Sequence, residues 1–118
     1  MSPVRAAVLT AHGEAPTVAE RPAPVVSAGQ VLVEVRAAPI TPLDMLCASG
    51  TSYFGAPALP YVPGVQGVGV VAEDGELPAG TPVWFATSAG MAPGDGSMAS
   101  LAAVTPGRLG RARGRRRR

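Results

Sequence analysis

Chemistry in this chain would have to come from two glycine-spaced stretches, one cysteine and one histidine. The first stretch, PYVPGVQGVGVV at residues 60–71, sets Gly64, Gly67 and Gly69 three and then two residues apart. A loop that cradles a pyrophosphate carries G-x-G-x-x-G between a strand and a helix, so that the helix N-terminus faces the phosphates. Here the order is reversed, and Val70-Val71 runs into the turn Ala72-Glu73-Asp74-Gly75. The stretch reads as a turn feeding a strand. The second, Gly94-Asp95-Gly96-Ser97-Met98-Ala99, does match G-x-G-x-x-A. A ribose-binding acid should follow about 20 residues later, but no acid follows Asp95. That reads as a chance match in a glycine-rich chain.

Cys47 and His12 are the only residues of their kinds. Any zinc site would then rest mostly on carboxylates, which is a poor match to the usual Cys/His ligand sets. His12 falls in a turn and reads as a solvated or backbone-bonded imidazole. Cys47 falls in a short helical segment with no local histidine to activate it, and reads as a small buried apolar group. A Ser-His-Asp triad would have to use His12, whose neighbours give no reason to choose it.

The elements that would position these residues are mostly strands. A chain of 118 residues suits one domain with one modest core. Only five residues are aromatic, so Val, Ala and Leu must build that core, while 15 Gly and 13 Pro punctuate the chain too often for long helices. Val31-Leu32-Val33-Glu34-Val35-Arg36-Ala37 alternates with the period of a half-buried strand. Further strands are predicted near 4–10, 17–20, 66–72, 82–86 and 98–104. The last of these is ambiguous, because its alanines also favour helix. Pro42 suits the first turn of a short helix near 43–48, stopped by Gly50.

Charge divides the chain. Residues 1–107 hold eight acids against three arginines, a balance of −5, whereas residues 108–118 hold seven arginines and no acid. No apolar run approaches the roughly 18–20 residues of a membrane span, and Met1-Ser2-Pro3-Val4-Arg5 lacks the features of a signal peptide. A single cysteine excludes an internal disulfide, so the cytoplasm is the expected compartment.

The order of these signals resembles the N-terminal, GroES-like half of the medium-chain dehydrogenases/reductases over roughly residues 4–104. The most specific parts are GQVLVEVRAAPITPLD and LPYVPGVQGVGVV. In the zinc alcohol dehydrogenases of that superfamily a zinc cysteine stands where this chain has Thr41, and Gly-His-Glu stands where it has Gly64-Val65-Gln66. The four-cysteine structural zinc lobe is also missing. These departures resemble the zinc-independent branch of NADPH-dependent quinone oxidoreductases and zeta-crystallin, whose V-N-P-x-D motif is followed by Ile40-Thr41-Pro42-Leu43-Asp44, with Thr for Asn. The branch's SGTY element is approximated by Ser49-Gly50-Thr51-Ser52-Tyr53, with one residue inserted.

The resemblance implies a mostly β, GroES-like partly open β-barrel with one or two short helices. It would occupy residues 1–104, followed by a disordered arginine-rich tail at 105–118. It implies a substrate cleft lined by Thr41, Pro42 and Gln66, with Tyr53 as the candidate catalytic phenol. The substrate would be a small carbonyl compound or quinone. No metal site and no cofactor site are expected in this chain itself; NADPH is implied only for the family's full-length enzyme, through a Rossmann domain. The composition, with no lysine and much Ala, Gly, Pro and Arg, is that of GC-rich codons, so a truncated or frameshifted gene product is the expected origin of the tail. Whether the chain is itself an enzyme stays open. The alternative is a small nucleic-acid-binding module acting through its arginine tail, which would be salt-dependent and sequence-independent but lacks aromatic residues for stacking. A co-chaperonin role would rest on fold analogy alone. Self-association through an uncovered strand edge is expected, and a membrane partner is not.

Overall fold

The computed structural model describes residues 4–111. Its strands are β1 (Val4–Val8), β2 (Thr17–Arg21), β3 (Val31–Ala37), β4 (Gln66–Val71), β5 (Pro82–Ala86), β6 (Leu101–Val104) and β7 (Leu109–Arg111). One α-helix, α1 (Pro42–Ser49), follows β3, and a single 3-10 turn at Pro106–Arg108 precedes β7. β1 and β2 form an antiparallel pair, and the other five make a sheet in the order β6-β3-β4-β5-β7, antiparallel throughout. The fold is the expected mostly β, partly open barrel.

Alternation builds the core. β4 reads exposed-buried-exposed-buried from Gln66, and β5 does the same from Pro82. Val33, Val71, Val83, Phe85, Ala102 and Val104 close on one another beneath the sheet, with Val31, Val35, Leu77 and Leu109 at the margin. Phe85 is the largest fully buried side chain; truncating such a residue to alanine typically costs about 3–5 kcal/mol. A smaller cluster joins Ala6 and Val8 of β1 to Val62, with Met98 and Ala99 packed against it.

The expected strand at 98–104 is divided between two partners. Leu101–Val104 pairs with β3, while the Ala7 N–H donates to the Met98 carbonyl and the Ser100 N–H to that of Arg5. Residues 98–100 thus tie β1 to the large sheet, the Ser100 carbonyl also accepting from the Val35 N–H of β3. β1 likewise ends at Val8, two residues short of its expected limit, because Leu9 turns away to bridge Tyr61.

The tail expected from residue 105 does not begin there. β7 pairs with β5, placing Leu109 opposite Phe85 and Arg111 opposite Val83. Gly110 lies so close against the Trp84 ring that a Cβ would collide with it. Leu109 at the core margin and this flat aromatic contact anchor a segment whose composition suggested only a solvated charge run. The remainder of the expected tail, 112–118, lies outside the described residues.

Candidate functional site

Thr41, Asp44 and the start of β4 form one hydrogen-bonded unit. Thr41 is the N-cap of α1: its hydroxyl accepts from the Asp44 N–H at 3.2 Å, and its own N–H donates to Asp44 Oδ2 at 2.9 Å. Pro42, at the first helical position, needs no amide partner there. The other carboxylate oxygen, Oδ1, accepts from the Val65 N–H at 2.9 Å. Asp44 is 4 % exposed, so it is a buried carboxylate held by main-chain donors from two elements. Thr41-x-x-Asp44 is a capping box, and that spacing was the sequence signal for it. Sequence reasoning used Asp44 only as part of a family motif.

The candidate residues divide. Thr41 and Pro42 sit at the N-terminus of α1, and Gln66 opens β4 with an exposed side chain, next in the chain to the residue that Asp44 binds. Asp44 therefore brings these three to one region. Tyr53 stands apart in the turn after α1, 98 % exposed, with its ring edge-on to Phe54 at 5.7 Å. None of the four lines an open groove of about 840 Å³ whose walls include Arg21, Phe54, Tyr61, Ser88, Met91 and Asp95.

Both glycine-spaced stretches are occupied with packing. Gly64 has φ +119°, and a Cβ there would strike Ser97. At Gly67 it would meet the Phe85 ring, and at Gly69 the Glu34 carbonyl. The Gly96, Ser97 and Met98 N–H groups donate to the carbonyls of Val62, Gly64 and Pro63, at 2.6, 3.0 and 3.1 Å. The Ser97 hydroxyl, buried, donates to the Gln66 carbonyl. A phosphate cradle needs free amides; those of 96–98 are taken. Asp95 also has a structural partner, accepting two hydrogen bonds from Arg21 at 2.8 and 3.0 Å and one from the Val62 N–H.

His12 is backbone-bonded, its Nε2 donating to the Pro57 carbonyl at 2.9 Å. Cys47 is buried against Gly90 and has no disulfide partner. Beside it lies a group that sequence reasoning missed. Tyr61 is 5 % exposed, and its hydroxyl has no hydrogen-bond partner among the described residues. Burial pushes the Tyr61 phenol above its ordinary pKa, and the neighbouring Cys47 and Asp44 add to the rise. No group of three or more His, Cys, Asp or Glu side chains converges among the described residues. No helix there is long and apolar enough to cross a membrane.

An antiparallel, partly open barrel with a capped helix bolted to the glycine-rich strand defines a GroES-like domain. The chain belongs to the alcohol dehydrogenase GroES-like domain family, whose model matches residues 27–112. Solved structures agree. The quinone oxidoreductase from Coxiella burnetii superposes with a TM-score of 0.78 at 17% identity, over 93% of this chain and 37% of that one. A thermostable alcohol dehydrogenase from Pyrobaculum aerophilum gives 0.80 at 24% identity, over 97% and 42%. The quinone oxidoreductase from Thermus thermophilus, also solved in complex with NADPH, gives 0.71 at 27% identity, over 89% and 31%. This chain thus spans well under half the length of these structures. A comparison with curated protein sequences found no match.

Proposed function

We propose that this chain is the substrate-side domain of a zinc-independent, NADPH-dependent quinone oxidoreductase-like enzyme, inactive without a nucleotide-binding domain. The observation that carries the reading is the donor set where the helix and the glycine-rich strand meet. Thr41 offers a hydroxyl already committed to its cap, and Gln66 a neutral carboxamide. Zinc selects thiolate, imidazole and carboxylate ligands, so these residues do not fit a zinc ion. Nor do the described residues fit a dinucleotide, since the amides of the one matching motif are bound to main-chain carbonyls.

Within that reading the chain's own residues position and exclude. The Thr41–Asp44–Val65 unit fixes the cleft wall, and Gln66 presents a hydrogen-bonding group to a carbonyl or quinone oxygen. Tyr53, in the exposed turn after α1, is the candidate proton or hydrogen-bond donor to a substrate carbonyl oxygen apart from the one that Gln66 faces. Hydride transfer needs the nicotinamide held against the substrate, and that task falls to the other domain. Calorimetric titration of the purified chain with NADPH is expected to show no saturable binding, whether or not zinc is added. One-to-one binding tighter than about 100 μM, roughly −5.5 kcal/mol, would overturn the reading.

A further inference from the structure

Tyr61 brings a buried, unpartnered hydroxyl to the wall of the open groove. Its ring packs with Leu9 and Ala89, and its main chain pairs with that of Leu9. Only the hydroxyl is unmet, with no hydrogen-bond partner among the described residues. Buried polar atoms in folded chains are nearly always partnered. One that the chain leaves bare calls for an atom from outside it. Burial holds the phenol above its ordinary pKa, so it is protonated at neutral pH and available as a donor.

The groove supplies the rest of a ligand site. It encloses about 840 Å³, the size of a small-molecule cleft. Pro57, Pro60, Met91, Pro93 and Leu101 give it apolar walls. Gly90 lines it as well, and a Cβ there would stand 3.4 Å from the Tyr61 hydroxyl. The hydroxyl therefore lies directly behind the lining at a point that carries no side chain. In the same wall Arg21 and Asp95 neutralise each other at 2.8 Å, and Arg108 is exposed. An ion entering the groove would lose hydration without gaining a buried counter-charge.

We propose that this groove binds an uncharged compound with a carbonyl oxygen on an aromatic or aliphatic body, the oxygen accepting from the Tyr61 hydroxyl beside Gly90. The body lies on the proline and methionine surface, which gives affinity without direction. The single hydrogen bond sets the orientation and selects a ketone over the hydrocarbon of the same shape. None of Thr41, Pro42, Tyr53 and Gln66 lines the groove, so binding here is independent of the oxidoreductase reading.

The test titrates the whole chain with acetophenone and, separately, with ethylbenzene, which has nearly its shape and no oxygen. Acetophenone should give saturable shifts of the Gly90, Met91 and Ala92 amides with a Kd of about 1 mM or tighter. Tyr61→Phe keeps the ring and removes the donor. It should weaken acetophenone about tenfold and leave ethylbenzene within about twofold. Equal losses for the two compounds would reduce Tyr61 to a packing role and overturn the proposal. Unchanged acetophenone affinity would overturn it as well, as would the absence of saturable shifts at residues 90–92. Shifts confined to residues 41–44 and 66 would do the same, by seating the ketone at the start of α1 instead.

Discussion

Asp44 does the work of two caps. It satisfies the first orphan amide of α1 and, through its other oxygen, the Val65 N–H at the start of the glycine-rich strand. Removing one partner of a buried hydrogen bond leaves the full desolvation penalty on the other, about 1–3 kcal/mol and more beside a charge. Asp44→Ala should therefore destabilise the domain by about 3 kcal/mol or more in urea unfolding. Thr41→Ala removes only the reciprocal cap and should cost about 1 kcal/mol, with Thr41→Ser near neutral. Equal losses at the two positions would show that Asp44 does not bridge the elements. Tyr61 behaves oppositely, because its hydroxyl is buried without a partner. Tyr61→Phe should be neutral or stabilising by up to about 1 kcal/mol. The folded-state pKa of Tyr61 lies above the unfolded value near 10, so the neutral phenol is the form that folding favours. Its contribution is complete below about pH 10 and is lost as pH rises through the higher folded value. The alkaline fall in melting temperature should accordingly be steeper in the natural chain than in Tyr61→Phe. Parallel alkaline profiles would remove Tyr61 as its cause.

At the scale of elements, β4 can lie between β3 and β5 because its glycines leave room on either side. A Cβ at Gly69 would meet the Glu34 carbonyl, which is backbone and cannot rotate away, whereas at Gly67 it would meet the Phe85 ring and Ser97 Cβ. Overpacking of side chains costs typically about 1–3 kcal/mol. Gly67→Ala should fall in that range, and Gly69→Ala should exceed it by forcing β3 and β4 apart. Comparable melting temperatures for the two variants would contradict the packing role assigned to this strand. The strand itself was legible in the sequence, as were β3 and β5 to the residue. In β3 the alternating Val31, Val33 and Val35 do pack on the core, whereas in β4 the buried positions are Gly67, Gly69 and Val71, and in β5 Val83 and Phe85. β7 was not, since Leu-Gly-Arg carries no alternation and is held by Trp84, 26 residues away in the chain. The Arg21–Asp95 pair spans 74 residues and leaves no local trace. The candidate site was half legible. The helix start and Gln66 fall together as the motif order implies, but no spacing rule reveals that Asp44 would join them or that Tyr61 would be buried unpaired.

For the molecule as a whole, two forces between copies differ in their response to salt. The outer edge of β7 and the outer edge of β2 have no strand partner among the described residues. Val25, Ile40, Met45 and Tyr53 are largely exposed as well. Unpaired strand edges and uncovered apolar surface both favour association. Backbone pairing and apolar burial are not weakened by screening, whereas attraction between an acidic body and a basic segment is. If the edges and apolar faces dominate, the apparent mass on a sizing column should rise between about 10 μM and 1 mM, equally at 50 and 500 mM salt. If charge dominates, the rise should vanish at the higher salt. The first outcome is expected, because the strand edges and the apolar side chains are the features seen uncovered among the described residues. A monodisperse monomer across the whole range at both salts would mean that these edges and faces are protected without any partner.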